Sequence, residues 1–413
     1  MPAGVVIIGG GQAGAEAASA LRVLGYDAPI LLIGDELQPP YQRPPLSKDY
    51  LLGKLDAARL PLRAEAYYDK QKIGLLMGQR VITIDPHMKR LRLKSGAVIP
   101  YDRLILAVGA RNRPLPVKGA ERALYLRTRD EADAIREQLG SAQSVAVIGG
   151  GFIGLELAAA ARKLGKQVTV IEAGPRLMAR AVPPLLSNFF FDVHRSEGVE
   201  ILLGATVEEI EPDAVRLGDG NRRAADLVLA GIGVIPNTEL AEDAGLAIAK
   251  GIVVDEFLRT ADPDIFAIGD CAEYPNIFSR ANATSGERVR LESVQNAVDQ
   301  AKCVARQIVG ERAPYRDVPW FWTDQFDIRF QMAGLSSGHD HSVVRGDMES
   351  RKFSAFYFKQ GRFLAADSVN RFGDHIAVRK LLAAGTQVTP EQAMDESFDL
   401  RRAVDATPAG RTP

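Results

Sequence analysis

Twice in this chain an apolar run breaks into Gly-x-Gly-x-x-Gly and resumes as an alanine-rich, helix-like stretch. The first copy is "VVIIGGGQAGAEAASALRVLGY", beginning at Val5, and the second is "VAVIGGGFIGLELAAAARKLGK", beginning at Val145. A strand that turns through glycines into a helix leaves the first helical N–H groups free, and with the helix dipole these suit a phosphate anion. Each glycine has its own task. Gly9 and Gly149 permit the tight turn, Gly11 and Gly151 let a pyrophosphate approach the backbone, and Gly14 and Gly154 let the helix pack close on the strand. A second apolar strand follows each copy and ends in acid, "ILLIGDE" and "VTVIEAG". Asp35 and Glu172 are therefore expected to accept from ribose hydroxyls.

The repetition extends further. "IDPHMKRLRLKSGAVIPYDRLILAVGARNRP" is similar to "IEPDAVRLGDGNRRAADLVLAGIGVIPN", each reading as strand, glycine turn, strand, then an apolar strand ending in glycine. The period is far longer than that of a solenoid repeat, so these are two related domains. From Pro319 the pattern changes to strands, with a hairpin turn expected near Gln360-Gly361 and then a helix, "DHIAVRKLLAAG", stopped by Gly385. The fold class expected is α/β: two Rossmann-like three-layer β-β-α domains plus an α+β C-terminal domain. The first domain is read as discontinuous, residues 1–113 with 243–318, the second as 114–242 and the third as 319–413.

Bulk properties exclude several classes. With 46% hydrophobic and 25% charged residues and a net charge of −1, nothing argues for nucleic acid or an anionic membrane. No run approaches the roughly 18 apolar residues of a membrane span, and the N-terminus reads directly into a strand rather than a secretory signal. The two cysteines, Cys271 and Cys303, form neither a disulfide framework nor a metal-ligand spacing, and suit a reducing cytoplasm. Cys271 reads as a small buried residue. "GHDH", residues 338–341, reads as a polar turn rather than a metal site. The tail from Asp405 reads as a flexible terminus.

The segment "GIVVDEFLRTADPDIFAIGDCAEY" carries Thr260, an apolar strand and then Gly269-Asp270. It resembles the second FAD fingerprint of flavin disulfide-reductase-like proteins, in which the aspartate holds the flavin ribitol. The resemblance implies that non-covalent FAD occupies the first copy and a nicotinamide nucleotide the second. Glu172 would then pair with a free 2′-hydroxyl and repel a 2′-phosphate, and Arg176 lies beyond the usual phosphate clamp, so NADH is expected over NADPH.

From "PYQRPPLSKDYL" onward, through "LILAVGARNRPLP", "YLRTRDEADAI", "GIGVIPNTELAEDAGL", "AIGDCAEY", "LESVQNAVDQA" and "PWFWTDQ", the chain resembles the NADH-dependent ferredoxin and rubredoxin reductases that serve bacterial P450s and Rieske dioxygenases. That resemblance implies that Ala13, Asp35, Arg43, Lys48, Val81, Arg127, Asp270, Val294 and Trp320 join Gly9, Gly11 and Gly14 around FAD. On the NAD side it implies Gly149, Gly151, Ile153, Gly154, Glu172 and Gly233. Lys48 would lie near the flavin N5 and O4, with Glu156 as its ion-pair partner facing the nicotinamide; these two are the candidate catalytic residues.

Where a disulfide reductase carries Cys-x-x-x-x-Cys, this chain has "PPLSKDYLLGK". Electrons therefore cannot leave through a dithiol. Flavin accepts two electrons at once and releases them singly, which suits a [2Fe-2S] ferredoxin that in turn serves a P450 or Rieske oxygenase. Two further readings keep the same fold: a rubredoxin reductase, or an NADH oxidase, which would call for a cysteine near the flavin. Another class is an interaction flavoprotein of the apoptosis-inducing-factor type, which would call for a targeting extension and long insertions. Candidate docking stretches for an acidic ferredoxin are residues 351–380, with seven Lys/Arg against two Asp/Glu, and 301–316, with four against one.

Overall fold

The computed structural model describes residues 4–279 and 287–405; the rest of the tail read as flexible, 406–413, lies outside them. Its first sheet holds five parallel strands in the order Ile265–Ala267, Arg103–Leu106, Val5–Ile8, Ile30–Ile33 and Ile73–Leu76. Nearly all their side chains are apolar and most are buried, as expected where a parallel sheet is covered on both faces. Helix Gln12–Val23 covers one face and itself packs against helix Val294–Ile308. The second sheet repeats the plan with Val199–Leu203, Gln167–Glu172, Ser144–Ile148, Leu227–Ala230 and Ala123–Tyr125. Each unit also carries an antiparallel three-stranded sheet, Val81–Asp85 with Arg90–Leu93 and Val98–Pro100 in one, Val207–Ile210 with Ala214–Leu217 and Arg222–Ala224 in the other.

The chain passes between the two units through an antiparallel pair, Ala110–Asn112 against Val234–Pro236. Strand Ile265–Ala267 then returns to the first sheet beside Arg103–Leu106.

The last unit is a five-stranded antiparallel sheet in the order Trp320–Gln325, Ile328–Gly334, Arg362–Val369, Lys352–Lys359 and His341–Asp347. Its hairpin turns through Gln360 and Gly361 at φ 48° and 76°, the pair of positive angles that a two-residue type I′ turn requires. Helix Phe372–Ala384 stops at Gly385, whose φ of 67° makes it the left-handed cap read from the sequence. Phe189 and Phe190 pack edge-on against Phe353 and Phe330, so one apolar core joins this sheet to the second unit.

The register separates the two copies at one position. Ile8 pairs with Ile33 and Ile148 with Ile171, so the residue aligned with Glu172 is Gly34, not Asp35. In the first copy Gly34 follows the strand where the second copy has Glu172, so its acid, Asp35, stands one residue further out. The two acids were read as counterparts; they occupy different places.

The third glycine of each loop is fixed by packing. A methyl added at Gly14 would lie 2.1 Å from the Gly9 carbonyl oxygen, and at Gly154 2.0 Å from that of Gly149. Gly14→Ala should therefore lower the thermal unfolding midpoint, consistent with an overpacking cost of about 1–3 kcal/mol. Gly140, exposed in helix Arg129–Ser141 with open space around it, supplies the contrast. Gly140→Ala should raise the midpoint slightly, by the equivalent of roughly 0.5–1 kcal/mol. A midpoint raised by both variants alike would show that packing at Gly14 does not set the requirement.

Candidate active site between two glycine loops

Both helices that follow the glycine loops begin without a side-chain cap and without an acidic residue in the first turn. Their N-terminal N–H groups are thus left for an anion from outside the helix. A methyl at Gly11 would meet nothing within 4 Å, and at Gly151 only the Gly231 carbonyl oxygen at 3.9 Å. Open space lies where a pyrophosphate would approach. Both loops open into one continuous cavity of about 2490 Å³, several times the volume of a site for one drug-sized ligand. The donor set and the room fit two dinucleotides.

All the site residues read from the sequence line this cavity except Gly14 and Gly154, which lie behind the loops against the carbonyls named above. Ala13, Val81, Val294 and Asp270 come together on the first-loop side. Asp270 accepts from Arg127 at 2.9 Å, and the Gly269 N–H donates to Gln300 at 2.7 Å, which fixes the turn. Arg43 pairs with Glu36, donates to the Arg127 carbonyl at 2.6 Å and stacks over the Tyr41 ring. Asp35 is half exposed and pairs with Arg80 at 3.1 Å. Gly34 and Gly10 instead face the Met77 thioether, leaving a narrow bare strip at the strand end.

On the second-loop side the Glu172 carboxylate already has partners. One oxygen accepts from Gly150 N–H at 2.7 Å, the other from Gly174 N–H at 2.6 Å. It holds the loop in shape and stands at the cavity wall. Arg176 is consumed locally, donating to Val182 and Ala179 carbonyls and to Ser187. Arg180 was not singled out in the sequence. Its guanidinium lies where a Cβ on Gly233 would be, 2.9 Å away, and lines the cavity with no ion pair among the described residues. Gly233 has φ 104°, so the bare backbone makes room for that cation. Ile153 is an exposed apolar side chain at the loop mouth.

The two sides meet at Lys48 and Glu156. Lys48 follows the 3-10 turn Pro44–Ser47, and Glu156 sits in the second turn of helix Phe152–Lys163. Lys48 Nζ is 2.7 Å from Glu156 Oε1, with Glu156 only 3% exposed. The Ser47 hydroxyl donates to Glu156 Oε2, and Thr323 donates to Oε1 at 2.6 Å. Behind Thr323 stands Gln325, and behind that His194, whose Nε2 is 2.8 Å from Gln325 Oε1. Burial pushes the His194 imidazole down to about 4, so it is neutral near pH 7.

Ser47, Thr323, Gln325 and His194 were not picked out from the sequence. The available signal was Thr323 and Gln325 alternating on one face of a strand next to three aromatics; both prove fully buried.

Trp320, Phe321 and Trp322 all line the cavity, with the two indoles 5.5 Å apart. Arg379 lies over the Trp320 ring at 4.4 Å, and His375 packs against it. Cys271 is buried beside Asp270, its thiol pushed up to about 11 by burial. In "GHDH", His339 bonds the Ser336 carbonyl at 2.8 Å, and no group of three or more metal-ligating side chains occurs among the described residues. No helix among those residues is long and apolar enough to cross a membrane.

Comparison with known proteins gives the same outline. The chain is 50% identical to rhodocoxin reductase of Rhodococcus erythropolis, covering 97% of this chain and 94% of that protein. It is 41% identical to putidaredoxin reductase of Pseudomonas putida over 98% and 97%. The crystal structure of the ferredoxin reductase for the CYP199A2 system from Rhodopseudomonas palustris superposes with a TM-score of 0.94 at 46% identity, covering 98% and 100% of the two chains. The covalent putidaredoxin reductase–putidaredoxin complex also gives 0.94, at 41% identity over 99% of each. Residues 320–404 match the reductase C-terminal family. With residues 3–301 matching its signature, the chain belongs to the pyridine nucleotide-disulphide oxidoreductase family.

Proposed function

We propose that the chain is an FAD-dependent NADH:ferredoxin reductase, passing electrons from NADH to a [2Fe-2S] ferredoxin that feeds a P450 or Rieske oxygenase. The observation that carries this reading is the pairing of Lys48 with the buried Glu156 carboxylate between the two glycine loops, in a chain with no thiol pair beside it. Family membership brings a flavin and a nicotinamide nucleotide; the particular reading is non-covalent FAD at the first loop and NADH at the second. The relatives named for rhodocoxin and putidaredoxin support a ferredoxin as the acceptor. Two buried cysteines that form no disulfide suit the reducing cytoplasm as its compartment.

The bound flavin would take two electrons from one NADH and release them one at a time, so each NADH reduces two ferredoxins and yields one proton. The residues supply the rest. Lys48 holds a fixed positive charge beside the place where negative charge develops, in a site sheltered from water. Glu156 holds Lys48 in that place. Glu172 accepts from a free ribose 2′-hydroxyl and repels a 2′-phosphate, while Arg180 offers a free cation to the nucleotide phosphates. Asp270 and Arg127 fix the ribitol end of FAD. Trp320 stands at the cavity wall between the flavin side and the C-terminal sheet.

For the acceptor surface, a helix that starts at the cavity favours one of the two basic stretches. In residues 351–380, Arg351 is committed to Asp327 and Arg371 to Asp374, while Lys352, Arg362 and Lys380 are exposed with no ion pair among the described residues. In residues 301–316, Lys302, Arg306, Arg312 and Arg316 are exposed and form no ion pair among the described residues. Helix Val294–Ile308 runs from the cavity, at Val294, past Lys302 and Arg306, and packs against the Trp320 strand. An acidic protein steered there would reach the edge of the flavin site.

Mixing with NADH in anaerobic stopped-flow should bleach the flavin rapidly, and Lys48→Gln should slow that step at least ~10-fold, within the range for losing one preorganised charge. A flavin that NADH does not bleach quickly would end the enzyme reading. Glu172→Gln should reduce the ratio of kcat/KM for NADH over NADPH by roughly tenfold; an unchanged ratio would remove Glu172 as the selector. Arg306→Glu or Arg312→Glu should weaken ferredoxin reduction, increasingly so at low salt, and spare flavin reduction by NADH. Equal loss of both steps would place docking elsewhere.

A further inference from the structure

The Glu156 carboxylate receives hydrogen bonds from two segments far from it in sequence. Besides Lys48 and Ser47, it is held by Thr323, which comes from the first strand of the C-terminal sheet. Thr323 is fully buried, and its Oγ1 has two neighbours: Glu156 Oε1 at 2.6 Å and Gln325 Nε2 at 3.2 Å. A hydroxyl has one proton to give. An ionised carboxylate can only accept, so the Thr323 proton points to Glu156 and its lone pair faces the Gln325 amide N–H. That choice fixes the amide, because Gln325 Oε1 must then face His194. His194 therefore carries its proton on Nε2 and donates to Gln325.

Every member of the row donates in the same direction, from His194 through Gln325 and Thr323 to Glu156. His194, Gln325, Thr323 and Glu156 are all 3% exposed or less. In such a dry setting a chain of aligned hydrogen bonds is strengthened along its length, and the terminal carboxylate is anchored in one rotamer. Without Thr323, Glu156 would keep its charge partner but lose the bond that holds Oε1 at its place beside Lys48.

We infer that Thr323 is a positioning residue for the entry of electrons: acting through Glu156, it holds the Lys48 ammonium at the junction of the two nucleotide sites. The inference rests on the proposed role of Lys48 and Glu156. It assigns part of the NADH-side machinery to the C-terminal sheet.

The test compares Thr323→Val, Thr323→Ser and Glu156→Gln as purified flavoproteins in anaerobic stopped-flow with NADH. The Val side chain matches Thr in shape but cannot donate. Thr323→Val should lower the limiting rate of flavin bleaching roughly 10- to 100-fold, the span for losing a hydrogen bond to a charged group. Thr323→Ser should recover most of it. NAD+ affinity by calorimetry and the flavin-to-protein ratio should stay near wild type, and a crystal structure of Thr323→Val should have the Glu156 carboxylate turned away from its wild-type position, with Lys48 Nζ displaced along with it.

If Glu156→Gln slows bleaching but Thr323→Val does not, the inference fails and the Lys48–Glu156 reading stands. If Glu156→Gln is as fast as wild type, that reading fails and takes the inference with it. If Thr323→Ser is as slow as Thr323→Val, the bond is not what matters and the inference is overturned. Should Thr323→Val not accumulate as a folded flavoprotein, Gln325→Leu, which removes the bond orienting Thr323, must show the same slowing with unchanged NAD+ affinity.

Discussion

A carboxylate taken out of water is costly unless it is paired and its remaining lone pairs are filled. Glu156 meets both conditions with partners drawn from two distant segments: Lys48 and Ser47 in the first unit, and Thr323 in the C-terminal sheet. Glu156 itself belongs to the second unit's helix. One buried charge thus ties together all three parts of the molecule, and removing any partner leaves it short. Its helix is packed on the second sheet through alanines, which leaves little freedom to move away from the pair.

The two glycine units begin from the same local solution and then diverge at the end of the second strand. In the second unit Glu172 fills its own loop's hydrogen-bond needs through Gly150 and Gly174. In the first unit the aligned place is Gly34, with only the Met77 thioether nearby, and the acid stands one residue further out with Arg80. On the proposed reading, this difference suits a resident ligand on one side and an exchanging one on the other. A site that already has its backbone partners in place can release a nucleotide without losing its shape.

Much of this was legible in the sequence because it depends on local chemistry. Glycine turns, strand and helix periods and the Gln360-Gly361 hairpin are set by residues a few positions apart. The pairing of Lys48 with Glu156 joins distant segments, and the sequence suggested it only through a family resemblance. Thr323 and Gln325 went unread because polar residues on a strand normally mean a solvated face; here the face is covered by the second unit, and only the neighbouring aromatics hint at that. His194 lies on helix Pro184–Ser196 and joins them only through that contact. Arg180 was missed for a related reason. Its value comes from what it lacks, an ion-pair partner among the described residues, and from the bare Gly233 beneath it. The Asp35–Glu172 correspondence misled because the glycine interposed between strand and acid in the first copy leaves the apolar pattern unchanged.

The return of strand Ile265–Ala267 to the first sheet has a consequence for how the protein is made. Its neighbour, Arg103–Leu106, leaves the ribosome roughly 160 residues earlier, about 8–30 s before it at ordinary elongation rates. During that interval Arg103–Leu106 is an unpaired parallel edge, and the second unit is complete and free to fold first. The nascent chain thus carries an open apolar edge while an autonomous neighbour forms beside it. Mutations that slow the second unit's folding would lengthen that exposure and lower the yield of the first unit, although they touch none of its residues.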